Sequence, residues 1–157
     1  MSIIAIGAAV KAAAEAAKAL KDIHDVLDGD RGVTVTVYNH TPYELHSWGA
    51  GFDHGGWADP ADQVIPPDSA SVFSVRDKGF MTGVEGHVFY VVQGVDAPLE
   101  RVFVKWNNPF VGSNSGAAVA SQYGPADFFG RPSDRFRADG RYGSGNISQN
   151  DYEIRLR

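Results

Sequence analysis

Gly32-Val33-Thr34-Val35-Thr36-Val37-Tyr38-Asn39 is the stretch that decides the fold class. Its valines fall at every second position, the signature of a β-strand with one face in a core. Val, Thr and Tyr are also the residue types that fit a pleated surface best. Asn39-His40-Thr41-Pro42 then supplies turn chemistry and ends the run. Working outward, further strands are expected over residues 43–48, 69–75, 83–92, 100–106 and 152–156. They are separated by Pro66-Pro67, Asp77-Lys78-Gly79 and Asp96-Ala97-Pro98. Short strands at this spacing, with 18 glycines and 8 prolines in the chain, predict an antiparallel sandwich or barrel. Between residues 121 and 136 the pattern loosens. There Pro125-Ala126-Asp127-Phe128-Phe129 reads as a short second helix with proline near its start.

The N-terminus reads differently. Residues 3–27 hold nine alanines, no proline and no aromatic residue. Ile6, Val10, Ala13, Ala17, Leu20 and Leu27 follow the three-and-four spacing of one helical face, while Lys11, Glu15, Lys18, Asp22 and Asp25 lie elsewhere. Asp28-Gly29-Asp30 stops the helix. No charged side chain occurs in residues 1–10, so the basic start of a signal peptide is missing and none is recognisable. The charges at positions 11, 15, 18 and 21 interrupt any apolar run long enough for a fixed membrane anchor. An amphipathic helix that packs, or lies on a membrane, is expected. The full reading is mainly β: one domain over 1–157, with the helix in 1–28 and an antiparallel β-sandwich in 32–157, flanked also by the short second helix.

Composition narrows the function classes. With 43% hydrophobic and 21% charged residues, the 157-residue chain is long enough for one self-sufficient core. The absence of cysteine excludes disulfides, thiolate metal sites and a catalytic thiol. A net charge of -5 argues against nucleic acid as a partner. The acidity belongs to the front of the chain. Residues 1–65 carry four Lys/Arg against nine Asp/Glu, while residues 66–157 carry ten of each.

Tests for catalysis and metal binding come out negative. Asp28-Gly29-Asp30-Arg31-Gly32 begins like a calcium loop, but its twelfth position is Asn39 where a bidentate Glu is needed. Gly112-Ser113-Asn114-Ser115-Gly116 has one residue too many for a nucleophile elbow and reads as a flexible loop. The five histidines show no helical metal spacing. His54 among Asp53, Asp59 and Asp62 is the one His/carboxylate cluster, and it reads as a solvated loop. Asn39-His40-Thr41 and Asn146-Ile147-Ser148 fit the glycosylation sequon. An enzyme is therefore not expected, and neither is a cofactor.

The aromatic residues say more. Tyr123, Phe128 and Phe129 stand near Arg131, Arg135 and Arg137, a mixture of apolar rings and cations suited to a lipid headgroup interface. The order of parts along the chain then resembles the actinoporins and actinoporin-like proteins. Gly32–Asn39 resembles that family's first strand ending in an Asn turn. Val64-Ile65-Pro66-Pro67 before residues 69–75, and Thr82-Gly83, resemble its following strand entries. Asn107-Asn108-Pro109-Phe110 resembles its proline-phenylalanine motif, and Tyr123 with Phe128-Phe129-Gly130 its tyrosine-rich second helix. After Pro109-Phe110, Val111–Gly116 carries no aromatic residue where the family has Tyr and Trp.

The resemblance implies a membrane-binding, pore-forming cytolysin, monomeric or dimeric in solution and homo-oligomeric on the membrane. It would be secreted or released and act on a target-cell membrane. By position, Asn107, Pro109, Tyr123, Phe128 and Phe129 would line a phosphocholine headgroup site, with His54 and Glu85 near it. Ile3, Ile4, Ile6, Val10, Ala13, Ala17, Leu20 and Leu27 would form the membrane-inserting face, with Gly29 and Gly32 as the hinge. Fungal fruit-body lectins share the fold, so the alternative is a lectin-like or headgroup-binding module that binds a glycan or lipid without making pores.

Overall fold

The computed structural model describes residues 2–6, 14–22, 31–96, 98–125 and 128–157. Two sheets face each other. One is built from β1 (Ser2–Ala5), β6 (Ser69–Arg76), β2 (Gly32–Asn39), β12 (Ile147–Leu156) and β11 (Phe136–Tyr142), in that order, with β4 (Gly56–Asp59) also pairing β6. The other runs β10 (Arg131–Pro132), β9 (Ser115–Tyr123), β8 (Leu99–Asn108), β7 (Val84–Val92), β3 (Leu45–His54) and β5 (Val64–Ile65). These are called the first and second sheets below.

Alternation puts Val33, Val35 and Val37 of β2 into the space between the sheets. They meet Phe73 and Val75 of β6, Tyr152 and Ile154 of β12, and Val88, Tyr90, Val102, Val104 and Trp106 of the second sheet. Aromatic edges lock the centre. Phe73 and Trp106 lie 5.8 Å apart, Trp57 and Phe73 5.7 Å, and Phe52 and Trp57 5.0 Å. One end of the core is pinned by Asn108, whose amide donates to the carbonyls of Gly32, Gly145 and Asn146.

The mainly β architecture in two sheets is as the sequence predicts, with three corrections. The sandwich is not wholly antiparallel, because β12 pairs β2 in parallel, Ile147 opposite Gly32 through Ile154 opposite Asn39. The second helix expected at residues 125–129 is a turn at Pro125, Phe128 and Phe129. Ala126 and Asp127 lie outside the described residues, and the aromatic pair that follows them is exposed rather than docked as a helix face would be.

The third correction concerns the N-terminus. Ile3 and Ile4, placed on the inserting helix by the sequence reading, belong to β1, with Ile4 opposite Ala70 and Ile3 opposite Ser71. β-Branched side chains suit a strand, and β1 covers part of a β6 edge that would otherwise offer unpaired backbone groups. Ile6 and residues 14–22 are helical. Val10, Ala13 and Leu27 lie outside the described residues, as do Lys11 and Gly29. Gly32 is part of β2 rather than a hinge, its N–H donating to the Asn146 carbonyl at 2.9 Å.

The helical residues dock on the outer face of the first sheet. Ala17 is fully buried against Tyr38, Ala70 and Val72, with Ile4, Ile6 and Leu20 packed at the margin. This outer face is made of small and polar side chains. Thr34 and Thr36 share it with Tyr38, and their hydroxyls are buried with no hydrogen-bond partner among the described residues.

Candidate functional site

The outer face of the second sheet is not the polar surface that simple alternation predicts. In β7 and β8 the residues pointing away from the core include His87, Phe89, Arg101, Phe103 and Lys105. His87, Phe89 and Phe103 form a ring cluster with centroids 5.2, 5.4 and 5.0 Å apart. Arg101 lies over three rings, at 4.5 Å from Phe89, 5.0 Å from Tyr123 and 5.7 Å from Trp48. Trp48 is placed there by a bulge, since the register of β3 against β7 shifts between Ser47 and Gly49. The extra residue of a bulge is re-aimed out of the ladder, and Trp48 is 67% exposed.

Arg101 has no carboxylate partner among the described residues, and its Nε is buried without an acceptor. Its charge is held by ring quadrupoles, which attract a cation without neutralising it. The free edge of the guanidinium remains a fork for phosphate or carboxylate oxygens.

The loop after β9 completes this pole. Gly130 sits at φ 80°, and a side chain there would meet the Tyr123 ring, so the chain turns back tightly over that tyrosine. Phe128 and Phe129 project from the same turn, 84% and 94% exposed, packed edge-on against each other at 5.7 Å. Both are surface residues. Arg131 lies 3.6 Å from Asp134, and Arg135 donates to the Asp96 carbonyl at 2.9 Å.

The remaining residues of the expected headgroup site lie at the other end of the sandwich. Glu85 stands opposite Asn107 on one side and His54 on the other. Lys105 donates to the Glu85 carboxylate at 2.7 Å, and that hydrogen bond holds the lysine pKa above its ordinary value. Pro109 opens the loop that follows β8. Tyr123 pairs with Leu99 and Asn107 with Ser115, so eight residues of β8 separate the two groups, about 26 Å of strand. The structure therefore brings together Tyr123, Phe128 and Phe129, and separately His54, Glu85, Asn107 and Pro109. One phosphocholine cannot touch both sets.

The other sequence candidates resolve as follows. Asp62 is buried and accepts the Ser71 hydroxyl at 2.6 Å, away from any solvated cluster with His54. No three His, Asp or Glu side chains gather to hold a metal among the described residues. Asn39 is fully buried, its amide donating to the Tyr43, Ile65 and Pro66 carbonyls, so that sequon is closed in the folded protein.

Sequence reasoning missed Trp48, Phe89, Arg101 and Phe103. A signal existed: Val88-Phe89-Tyr90-Val91-Val92 is apolar at consecutive positions, which a strand with one solvated face does not need.

Two facing sheets with mixed parallel and antiparallel pairing define the class of fold, a β-sandwich closed at one edge by its own N-terminal strand. Solved structures of this fold include the lipid binding protein Nakanori. Its TM-score is 0.73 at 17% identity, covering 89% of this chain and 79% of that one. The RahU protein, determined in complex with a TRIS molecule, matches at a TM-score of 0.58 and 10% identity over 81% of this chain and 96% of that one. In sequence the chain is 29% identical over 131 residues to an uncharacterized protein of Dictyostelium discoideum. That match takes in 83% of this chain but spans only about a tenth of the relative's length. No family model matches.

Proposed function

We propose that this protein binds lipid membranes through the pole formed by Phe128, Phe129, Tyr123, Trp48 and Arg101. The observation that carries the reading is a pair of adjacent, almost fully exposed phenylalanines on the turn that closes over Tyr123, a ring that in turn carries an arginine without a carboxylate partner among the described residues. The fold shared with the lipid binding protein Nakanori supports it.

The magnitudes are consistent with reversible attachment. Moving an exposed Phe out of water contributes about 1.5–3 kcal/mol, so the pair alone reaches roughly millimolar affinity or somewhat better. A charge-assisted contact from Arg101 to a headgroup phosphate adds what the rings lack. The choline group is the less suitable partner, because Arg101 already occupies the ring faces that would cage it.

Co-sedimentation with phosphatidylcholine vesicles, with and without phosphatidylserine, tests the reading. Binding that survives Phe128→Asp with Phe129→Asp unchanged would overturn it.

In its finer form the reading is a pore-forming protein. After release and arrival at a target-cell membrane, the N-terminal segment would leave the sandwich, insert, and assemble as a homo-oligomer. Among the described residues the docking contact centres on the small side chain of Ala17 against Tyr38, Ala70 and Val72, which favours release. Against it stands β1, whose pairing with β6 must unzip first. Among the described residues no helix is long and apolar enough to cross a membrane.

The alternative, a glycan-binding module, rests on a cleft of about 310 Å³ lined by Trp48, Trp57, Ser47 and Gln63, where a sugar ring could stack on indole. Binding to vesicles free of glycolipid separates the two readings.

A further inference from the structure

We propose that the outer edge of β3 is a docking site for an extended peptide, which adds one strand to the second sheet and seats an apolar side chain between Trp48 and Trp57. The inference stands apart from the membrane reading, which is carried by the Phe128–Phe129 turn.

The edge is open along most of its length. β5 pairs only Leu45 and His46, and the Ser47 N–H donates to the Gln63 carbonyl at 2.8 Å. Beyond Ser47, no backbone or side-chain group bonds to that edge among the described residues. On its other side β3 keeps a regular ladder with β7 from Gly49, opposite Phe89, to Phe52, opposite Gly86, between two register shifts. Alternate residues of that straight run turn their N–H and C=O groups outward, where no strand meets them. Folds usually blunt such an edge with Lys, Pro or a covering segment. Here residues 48–53 hold no Lys, Arg or Pro. Trp48, Gly49 and Ala50 are exposed, and a Cβ on Gly49 would meet nothing within 4 Å.

A place for a side chain lies beside the open backbone. The cleft of about 310 Å³ is lined by Trp48 and Ala50 of β3, Trp57 of β4, and Ala61 and Gln63 of the connection to β5. Trp57 is fixed there by its edge contacts with Phe52 and Phe73. Asp53, at the end of the straight run, is exposed and takes part in no ion pair among the described residues.

The unpaired backbone groups are what choose the occupant. Strand addition draws affinity from main-chain hydrogen bonds and specificity from pockets for alternate side chains. The matching ligand is an extended peptide with a large apolar residue for the cleft and a Lys or Arg nearby for Asp53. A sugar ring stacks on the indoles but leaves the N–H and C=O groups without partners. A second copy fits less well, because two straight edges of four residues cover far less than the about 800 Å² a side of a stable interface. A strand of four residues is nevertheless enough in this fold when its side chains dock, since β1 pairs β6 from Ser2 to Ala5 alone.

The test uses the full chain as bait for random octapeptides displayed on phage, with the selected sequences then made as free peptides. Selection is expected to return one large apolar residue with Lys or Arg within a few positions. Hydrogen exchange is read with and without peptide, and the outward amides of residues 49–52 should slow by about tenfold or more when it binds. Methylating the peptide's backbone nitrogens at alternate residues should weaken binding by about tenfold or more, and at the intervening residues should not. Gln63→Arg, an exposed change that crowds the cleft and repels a cation, should weaken binding with an unchanged melting temperature. Failure to select any peptide, binding that leaves those amides fast, or binding indifferent to methylation overturns the inference. Amides that slow without peptide as protein concentration rises give the edge to a second copy and overturn it too. A protein that takes the peptide but does not bind vesicles overturns the membrane reading alone.

Discussion

The Arg101 guanidinium carbon lies 5.0 Å from the centre of the Tyr123 ring, on the face where a quaternary ammonium would otherwise sit. A cage that carries its own cation presents that cation to anions. Replacing it should therefore change lipid preference as well as affinity. Arg101→Ala is expected to weaken binding to phosphatidylserine-containing vesicles by about tenfold or more, the worth of one hydrogen-bonded charge contact. The same change should raise the relative affinity for pure phosphatidylcholine, because the Tyr123, Phe89 and Trp48 faces become available. Arg101→Lys keeps the charge but loses the planar fork and should fall between. Equal loss on both lipids would mean that Arg101 only holds the rings in place.

Phe128 and Phe129 separate surface chemistry from packing. Exposed residues changed to Ala usually move stability by no more than about 0.5 kcal/mol, while core phenylalanines lose roughly 3–5 kcal/mol. With both rings in solvent, Phe128→Ala and Phe129→Ala should melt like wild type and bind vesicles more weakly. Thermal melts and sedimentation on the same preparations decide the matter. A large drop in melting temperature would return the rings to the core.

What could be read from the sequence follows from what each strand packs against. β2 was legible because Val33, Val35 and Val37 face the other sheet while Thr34 and Thr36 face away. β9 was not. Gly116, Ala117, Ala118 and Ala120 are all small, and at Gly116 a Cβ would meet the Tyr142 ring from β11. Such a run shows no period of its own. β1 was hidden because Ile3 and Ile4 continue without a break into the alanine-rich stretch, and only the partner edge of β6 makes them extended. The parallel pairing of β2 with β12 lies beyond any local pattern. At the candidate site, Tyr123, Phe128 and Phe129 were legible as rings near arginines. The arginine that lies over Tyr123, Arg101, comes from a different strand, and Trp48 from a bulge that no spacing announces.

If the N-terminal segment must leave the sandwich, tying β1 to β6 should stop it. Ile4 and Ala70 stand directly opposite each other and face the same helix-covered side. The chain has no cysteine, so Ile4→Cys with Ala70→Cys can form only one intramolecular bridge. Oxidised protein should bind vesicles without releasing a trapped dye, and reductant should restore release. Release that ignores the bridge would show that β1 stays in place throughout.

Asn39 tests the turn that closes β2. Its amide nitrogen donates to three carbonyls at 2.7, 3.2 and 2.9 Å, and its oxygen accepts from the Thr41 backbone and hydroxyl at 3.1 and 2.7 Å. Asn39→Ala takes its donor from the Ile65 and Pro66 carbonyls and leaves the Tyr43 carbonyl to the Thr41 hydroxyl, a loss of about 1–3 kcal/mol for each carbonyl left dry and unpaired. Asn39→Asp should be worse despite its near-identical shape, because a buried carboxylate would face the same carbonyl oxygens. Denaturant melts should rank the proteins wild type, Asn39→Ala, Asn39→Asp in falling stability. The reverse order for the two variants would mean that water enters the turn.

Asp151 provides a pH test on the first sheet. It stands opposite Thr36, and neither the Thr36 hydroxyl nor Asp151 Oδ1 has a hydrogen-bond partner among the described residues. Burial pushes the Asp151 pKa above its ordinary value of 3.8, and the Glu153 charge adds to that, while Gln149 and Arg141 pull the other way. A raised folded pKa means that the native state holds this proton more tightly than the unfolded chain does. The unfolded chain then binds fewer protons between 3.8 and the folded pKa, so stability falls as pH rises through that window. The group is least disturbing below the window and destabilises most above it. Asp151→Asn cannot ionise and should remove that part of the pH dependence. The variant should melt higher than wild type at neutral pH, with the advantage shrinking as the pH is lowered. Arg141 lies 4.0 Å from Asp151 and is largely exposed, so the ion pair it forfeits is worth little. A variant that melts lower at neutral pH would show that the Arg141 and Gln149 contacts outweigh the burial.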